Sequence, residues 1–264
     1  MQITDLTEDF YRQYFCCLEE WSDEMKEAGD HKEKWYHQMK DKGLRVKIAI
    51  ENDTVCAMIQ YIPVEYSFAR GRDLYFIKCI WVHGHKKGIG DYQKRGIGTA
   101  LLEAAEADVK SMKQKGMAVW GMSLPFWMKA AWFKKHGYKK ADKQGMSVLL
   151  WKPFQRDAEL PQWIKQKKKP KAVKGQVTVT SFINGWCPAQ NAVHERARRA
   201  VQEFGGQVKF IEIQTSDRAV FEEWGISDAL YIDDKNISAG PPLSYESIRK
   251  KIQRKVKKMA RSKG

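Results

Sequence analysis

The chain has 264 residues, 43% of them hydrophobic and 12% aromatic, enough apolar material for two packed cores and too much for a disordered chain. No apolar run reaches the roughly 18 residues that cross a bilayer, and the opening MQITDLTEDFYRQ is polar where a secretory leader is apolar, so a cytoplasmic protein without a membrane span is expected. Five cysteines, Cys16, Cys17, Cys56, Cys79 and Cys187, form an odd set without CxxC spacing, which points to reduced thiols rather than to a disulfide framework or a zinc ribbon. The formal net charge of +15 gathers around residues 165–174 and 249–263. Such patches suit RNA, membrane phosphates or acidic substrates, but a Lys-rich linker and tail are more often solvated faces, and nucleic acid is kept as a minor expectation.

In chain order, residues 6–42 read as one or two amphipathic helices, with Phe10, Tyr14, Cys17, Leu18 and Trp21 at three- and four-residue steps. After Gly43 come three β-rich runs, LRVKIAI, TVCAMIQYIPV and LYFIKCIWV, expected to form an antiparallel meander. A helix is expected over residues 97–112, with Leu101, Leu102, Ala105 and Val109 along its apolar face. MAVWGM then reads as a strand, FWMKAAWFKKHG as a short helix closed by Gly137, and SVLLWKPF as a further strand. Residues 155–174, rich in Lys, Pro and Gln, read as an exposed linker. Beyond it, QVTVTSFING, AQNAVHERARRAVQEFG, VKFIEIQT, SDRAVFEEWG, ALYIDD and a helix from Tyr245 alternate as in a small α/β unit.

The most informative segment is CIWVHGHKKGIGDYQKRGIGTALLEAAEADVK, in which an apolar strand passes through a basic, Gly-rich loop straight into a helix. The first turn of a helix carries unpaired N–H groups and the positive end of the helix dipole, and glycines let phosphate oxygens approach the backbone. Gly96 and Gly98 fit that purpose, with Lys94 and Arg95 adding charge, Thr99 offering a hydroxyl, and Lys86 and Lys87 placed to attract a 3′-phosphate. His83 and His85 flank a glycine as half of a metal site would, but no ligand partner lies at suitable spacing, so no metal is expected.

With Gln93, Gly96 and Gly98 matching (Gln/Arg)-x-x-Gly-x-(Gly/Ala), and the strand ending Ile80-Trp81-Val82 before them, residues 1–154 resemble the GNAT N-acetyltransferases. The resemblance implies a mixed α/β sheet splayed like a V and flanked by helices, with acetyl-CoA as co-substrate. It places the pyrophosphate on the backbone of residues 93–98, Ile97 included, and the thioester against Ile80, Trp81 and Val82. It implies direct attack by an amine, from a small molecule or a peptide, on the thioester. Against the family's Leu-Tyr-x-x-x-Gly-Phe ending, Phe133 stands where a tyrosine acid is usual, Gly137 matches the glycine, and Phe126 replaces a common asparagine. Lys78 occupies the neighbourhood of a frequent glutamate, leaving Glu65, Tyr61, Tyr66 and Tyr75 as candidate bases, with Glu65 and Tyr75 preferred. Trp120, Phe126, Trp127, Trp132 and Phe133 line either an apolar acceptor pocket or the core.

The run SFINGWCPAQN sets Cys187 at a helix start, where the dipole favours thiolate. It resembles the thioredoxin fold with its second cysteine replaced by Gln190, and the pre-strand cis-proline replaced around Asp228 and Ala229. Pairing of the two regions resembles the bacterial YoaP-type acetyltransferases. That implies residues 1–154 as transferase, 155–174 as linker, 175–252 as a thioredoxin-like domain and 253–264 as a basic tail. A CoA-binding or interaction module without catalysis, and a Cys187-dependent redox or binding protein, are the competing expectations.

Overall fold

The computed structural model describes residues 1–124 and 127–261, so Phe126 and the last three residues of the basic tail lie outside the described residues. The chain divides into two compact units, one of Met1–Trp21 with Tyr36–Lys165 and the other of Ser22–Trp35 with Gln166–Gly264.

The first unit opens with β1 (Gln2–Asp5), a single 3-10 turn and the short α1 (Tyr11–Phe15); α2 (Asp23–Lys26) and α3 (His31–Lys40) follow in the chain. The expected long amphipathic helices are thus broken into short pieces. Cys17 and Leu18 adopt φ of 53° and 66°, and Gly29 adopts 63°, left-handed values that stop a helix. The meander is present as β2 (Arg45–Glu51), β3 (Thr54–Pro63), the two-residue β4 (Ala69–Arg70) and β5 (Leu74–Val82). Next come α4 (Ile97–Ser111), β6 (Gly116–Met122), α5 (Ala130–Lys135), β7 (Lys139–Gln144), β8 (Ser147–Pro153) and the two-residue β9 (Gln162–Trp163).

The main sheet runs β1-β2-β3-β5-β6-β8-β7, with β5 and β6 parallel and its other neighbours antiparallel. It is a mixed sheet flanked by helices. The face expected for α4 is the face it buries: Leu101, Leu102, Ala105 and Val109 pack with Ile59, Ile77 and Val119. Each large aliphatic side chain so removed from water contributes roughly 1.5–3 kcal/mol before entropy. Residues 155–174 are not featureless, because β9 pairs with β4 and the Ile164 N–H donates to the Phe68 carbonyl.

The second unit holds β10 (Val177–Ile183), α6 (Pro188–Gln202), β11 (Val208–Gln214), α7 (Arg218–Trp224), β12 (Ala229–Ile232), β13 (Lys235–Asn236) and α8 (Tyr245–Arg261). Its sheet runs β11-β10-β12-β13; β10 and β11 are parallel, and β12 and β13 antiparallel to their neighbours. Asp217 caps α7 by accepting from the Ala219 and Val220 N–H groups. No helix among the described residues is long and apolar enough to cross a membrane.

Candidate active site

The site begins with a defect in the sheet. Between β3 and β5 the register shifts, so that Gln60 opposes Cys79 while Tyr61 opposes Ile77, leaving Lys78 as the extra residue of a β-bulge. At the same place β5 leaves its other neighbour: pairing with β6 runs from Leu74↔Gly116 to Ile77↔Val119 and stops. The Trp120 indole N–H donates to the Lys78 carbonyl at 2.8 Å, just past the last pair. From Ile80 to Val82 the edge of β5 facing β6 is therefore without a strand partner, and its backbone groups are open to a ligand.

The split widens into a cleft of about 400 Å³ lined by Ile80, Trp81 and Val82 of β5; Tyr92, Gln93 and Lys94 of the loop; Gly96, Ile97, Gly98 and Thr99 of the helix start; and Trp127, Met128, Lys129, Trp132 and Phe133. Its chemistry is graded. One end holds the positive end of α4 with Lys94, the other aromatic rings.

Gly96 is the N-cap of α4 at φ 80°, a left-handed conformation disfavoured for other residues, and Lys94 shares that region at φ 62°. Gly96 has no side chain to cap the helix, and its carbonyl accepts from the Ala100 N–H, the first helical bond. The N–H groups of Ile97, Gly98 and Thr99 thus belong to the unpaired first turn, beside the exposed Gln93 to Gly96. A side chain at Gly98 would meet only Trp132 and Val82, each at 3.6 Å, so Gly98 is less constrained than Gly96.

Three sequence expectations for this loop need correction. The Arg95 side chain is not part of the lining: it donates to the Asp91 carbonyl at 3.1 Å, approaches Glu51 at 3.6 Å and lies over the Tyr92 ring. Thr99 lines the cleft, but its hydroxyl is 3.0 Å from His136 Nε2. Because His136 Nδ1 lies 2.8 Å from the Trp132 carbonyl, which only accepts, that nitrogen carries the proton and Nε2 of the neutral ring accepts from Thr99. The hydroxyl hydrogen is therefore directed away from an incoming phosphate. Lys86 and Lys87 are also absent from the lining.

The proposed bases fare differently. Tyr75 stands at the far end of β5 from Ile80, about 17 Å along the strand, and its hydroxyl faces Met112 Sδ at 3.7 Å. Burial pushes the Tyr75 phenol up, away from service as a base at neutral pH. Glu65 lies in the 3-10 turn after β3, past the Pro63↔Tyr75 pair, at that same remote end. Tyr61 donates to Asp108 at 2.6 Å, and Tyr66 is exposed beneath Lys42. None of the four lines the cleft. Phe133 does, with Trp132 against it at a ring separation of 4.9 Å; no tyrosine hydroxyl arises from that position.

The sequence does not single out Tyr92, Met128 or Lys129 as cleft residues, whereas Trp127 and Trp132, expected to line either an apolar acceptor pocket or the core, line the cleft. His83 is internal support: its Nδ1 donates to the Gly90 carbonyl at 2.7 Å and its Nε2 accepts from the Trp21 indole at 3.1 Å, which occupies both ring nitrogens. Trp21 also lies where a side chain at Gly88 would stand, tying the basic loop down.

In the second unit, Cys187 is the buried N-cap of α6, followed by Pro188 at the first helical position, and none of the five cysteines is in a disulfide. Asp228, just before β12, accepts from the Asn184 N–H at 3.0 Å and the Trp186 indole at 3.1 Å, fixing the loop that carries Cys187.

No curated protein matches the chain. Among solved structures, the fold is similar to aminoglycoside 6′-acetyltransferase type Ii, at 17% identity and a TM-score of 0.44 over 58% of this chain and 97% of that one. It is also similar to the PaiA N-acetyltransferase of Thermoplasma acidophilum, solved in complex with coenzyme A, at 14% identity and a TM-score of 0.42 over 58% and 100%. A GNAT-family acetyltransferase from Elizabethkingia anophelis with acetyl-CoA bound shares 18% identity at a TM-score of 0.39 over 58% and 97%. The family model described as "Acetyltransferase (GNAT) domain" matches residues 42–140, the stretch that runs from β2 through the cleft into β7.

Proposed function

We propose that residues 1–154 bind acetyl-CoA and transfer its acetyl group to a primary amine by direct attack. The supporting observation is the adjacency of two features: the end of β5–β6 pairing at Ile77↔Val119, and the open first turn of α4 at Gly96. In this reading the N–H groups of Gly96 to Thr99, with Lys94, hold the pyrophosphate, and the unpaired edge of Ile80 to Val82 holds the pantetheine and orients the thioester. The amine nitrogen attacks the carbonyl carbon and then gives up its extra proton to solvent, the tetrahedral oxyanion collapses with cleavage of the C–S bond, and the departing thiolate takes a proton from solvent. Among the described residues lining the cleft there is no carboxylate, so the amine must arrive as its free base, and turnover should rise with pH towards the acceptor's own pKa.

The test is calorimetry with acetyl-CoA on the wild type and on Gly96→Glu, followed by release of CoA with a panel of amines. Binding that is lost in Gly96→Glu, together with turnover, supports the reading; no binding by folded wild type overturns it. Binding without turnover on any amine favours a CoA-binding module without catalysis, the reading suggested by Phe133 and the missing carboxylate.

For the rest of the chain we infer a linker at 155–174, a thioredoxin-like domain at 175–252 and a basic tail at 253–264. The order β11-β10-β12-β13 with parallel β10 and β11, and Trp186-Cys187-Pro188 at the start of α6, support a thioredoxin-like reading. Gln190 stands one turn into α6 where a resolving thiol would be, and Cys187 is buried, which favours a structural or binding role over thiol exchange. Cys187→Ser with unchanged acetyl transfer is the expected result, and loss of transfer would make the thiol functional. A supply of acetyl-CoA fits a cytoplasmic location.

A further inference from the structure

Within the second unit a second group of chemistry-bearing side chains converges. His31 at the start of α3 and Glu195 on α6, 164 residues apart in sequence, lie with His31 Nε2 2.8 Å from Glu195 Oε1. His194 adds its ring, centred 5.2 Å from that of His31, and the three potential ligand atoms fall within 4.8 Å of one another. A fourth group arrives from the sheet. Ser181 of β10 and Glu212 of β11 are register partners, so they project from the same face. His194 lies over both, with Nδ1 2.9 Å from Ser181 Oγ and Nε2 3.2 Å from Glu212 Oε2.

The His194 ring is 2% exposed, and its Nε2 is a buried atom without a hydrogen-bond partner, because the Glu212 contact does not meet hydrogen-bond geometry. In the tautomer whose Nδ1–H donates to Ser181 Oγ, Nε2 presents a lone pair towards carboxylate oxygen. Two electron-rich atoms at that distance call for a cation. Arg198 cannot supply the bridge, since its guanidinium is engaged with Glu195 Oε2 at 2.6 Å.

We propose that His31, His194 and Glu195, with Glu212 as a fourth donor, form a binding site for a divalent transition-metal cation of the Zn²⁺ type. Two imidazoles and two carboxylates suit a borderline cation at tetrahedral coordination. Ligand atoms around Zn²⁺ stand roughly 3.3 Å apart, given bonds of about 2.0 Å; the donor atoms of His31, His194 and Glu195 lie within 4.8 Å of one another, and Glu212 Oε2 lies 3.2 Å from His194 Nε2. Ser181 then acts as the outer partner that fixes the His194 tautomer, the arrangement typical of metal-bound histidine. The sequence hides this site, for His31 is far from the other donors and His194-Glu195 shows no motif spacing.

The experiment uses the full chain, stripped with a chelator and titrated with Zn²⁺ by calorimetry and with Co²⁺ by visible absorption. The expected result is one bound cation and the d–d bands of tetrahedral Co²⁺ without thiolate charge-transfer absorption. His31→Gln and the half-exposed Glu212→Gln should each weaken binding, and Ser181→Ala should weaken it roughly 10–100-fold. Circular dichroism and the urea unfolding of the second unit report whether the same variants are folded. Absence of binding by wild type overturns the proposal, as does equal binding by wild type, His31→Gln and Glu212→Gln; in either case the group is an ion-paired cluster only.

Discussion

Two strand-to-helix junctions of this chain look alike in sequence and end as opposites. Each runs from an apolar strand through a glycine-containing loop into a 15-residue helix, α4 in one and α6 in the other. At α4 the loop residues Gln93 to Gly96 are exposed and the cap is a bare glycine. At α6 every residue from Ser181 to Pro188 is buried, and any side chain at Gly185 would sit 3.0 Å from Trp35 Cβ. Asp228 and Asn191 close that loop, Asn191 donating to the Gly185 carbonyl at 2.9 Å. A helix N-terminus can take a ligand only when its approach is open; at α4 the bulge at Lys78 and the parting of β5 from β6 leave it so.

The comparison is sharpened most by Asp228→Ala. It strips partners from the Asn184 N–H and the Trp186 indole, and the hydroxyl of Ser227 as well. A hydrogen bond to a charged group is worth about 1.5–3 kcal/mol, and orphaned buried donors cost more, so the second unit should lose about 3 kcal/mol in urea unfolding. Acetyl-CoA binding should be unchanged. Loss of that binding would mean that the two junctions are not independent.

Next in size is Glu27→Gln. Glu27 accepts from Arg196 at 3.0 and 3.3 Å and pairs with Arg199, and these hydrogen bonds, the one from Arg196 foremost, hold its carboxyl below the usual range. A depressed carboxyl contributes stability that is present above its unfolded pKa of about 4.3 and lost as pH falls through the lower, folded value. The variant should therefore be about 2 kcal/mol less stable at neutral pH, by the worth of a charged hydrogen bond. Its gap to wild type should close in acid. A gap that persists there would assign the effect to packing.

At the open junction, Gly96→Ala and Gly98→Ala test which glycine the site needs. A Cβ at Gly96 meets no atom within 4 Å but forces a φ of 80° at about 1–2 kcal/mol, whereas one at Gly98 finds ordinary contacts. Acetyl-CoA affinity should fall roughly tenfold in the first, one decade for each 1.4 kcal/mol, and little in the second. The reverse order would show that the ligand approaches Gly98 closely enough to exclude a methyl group.

Most elements carrying a strong apolar period were legible in sequence. The buried face of α4 and the runs that became β2, β3, β5, β8 and β10 follow from periodicity, because burial dictates it. What escaped was polar or short. β7 reads KKADKQ, a hydrophilic edge strand recognisable only through its partner β8, and β9 has two residues. The cleft was legible where backbone chemistry makes it, at Gly96 and Gly98, and poorly where side-chain direction decides. Arg95 and Thr99 have suitable chemistry but spend it on Asp91, Glu51 and His136. Periodicity carries no record of such diversions, since they depend on which partners the fold brings near.

The smallest expected effect concerns Glu65 and Tyr75, whose residue types suit catalysis and whose positions do not. β5 carries Tyr75 at one end and the open edge, Ile80 to Val82, at the other, with the bulge at Lys78 between them. Neither side chain lines the cleft, and the Tyr75 hydroxyl is turned to Met112 Sδ. Glu65→Gln and Tyr75→Phe should therefore leave the KM for acetyl-CoA and the pH profile of transfer as in wild type, with stability changed by no more than a few tenths of a kcal/mol at the exposed Glu65. An acidic limb that vanished in Glu65→Gln while kcat fell would instead place a proton transfer at the remote end of β5. The acceptor would then have to enter there, and the β5–β6 split would serve acetyl-CoA alone.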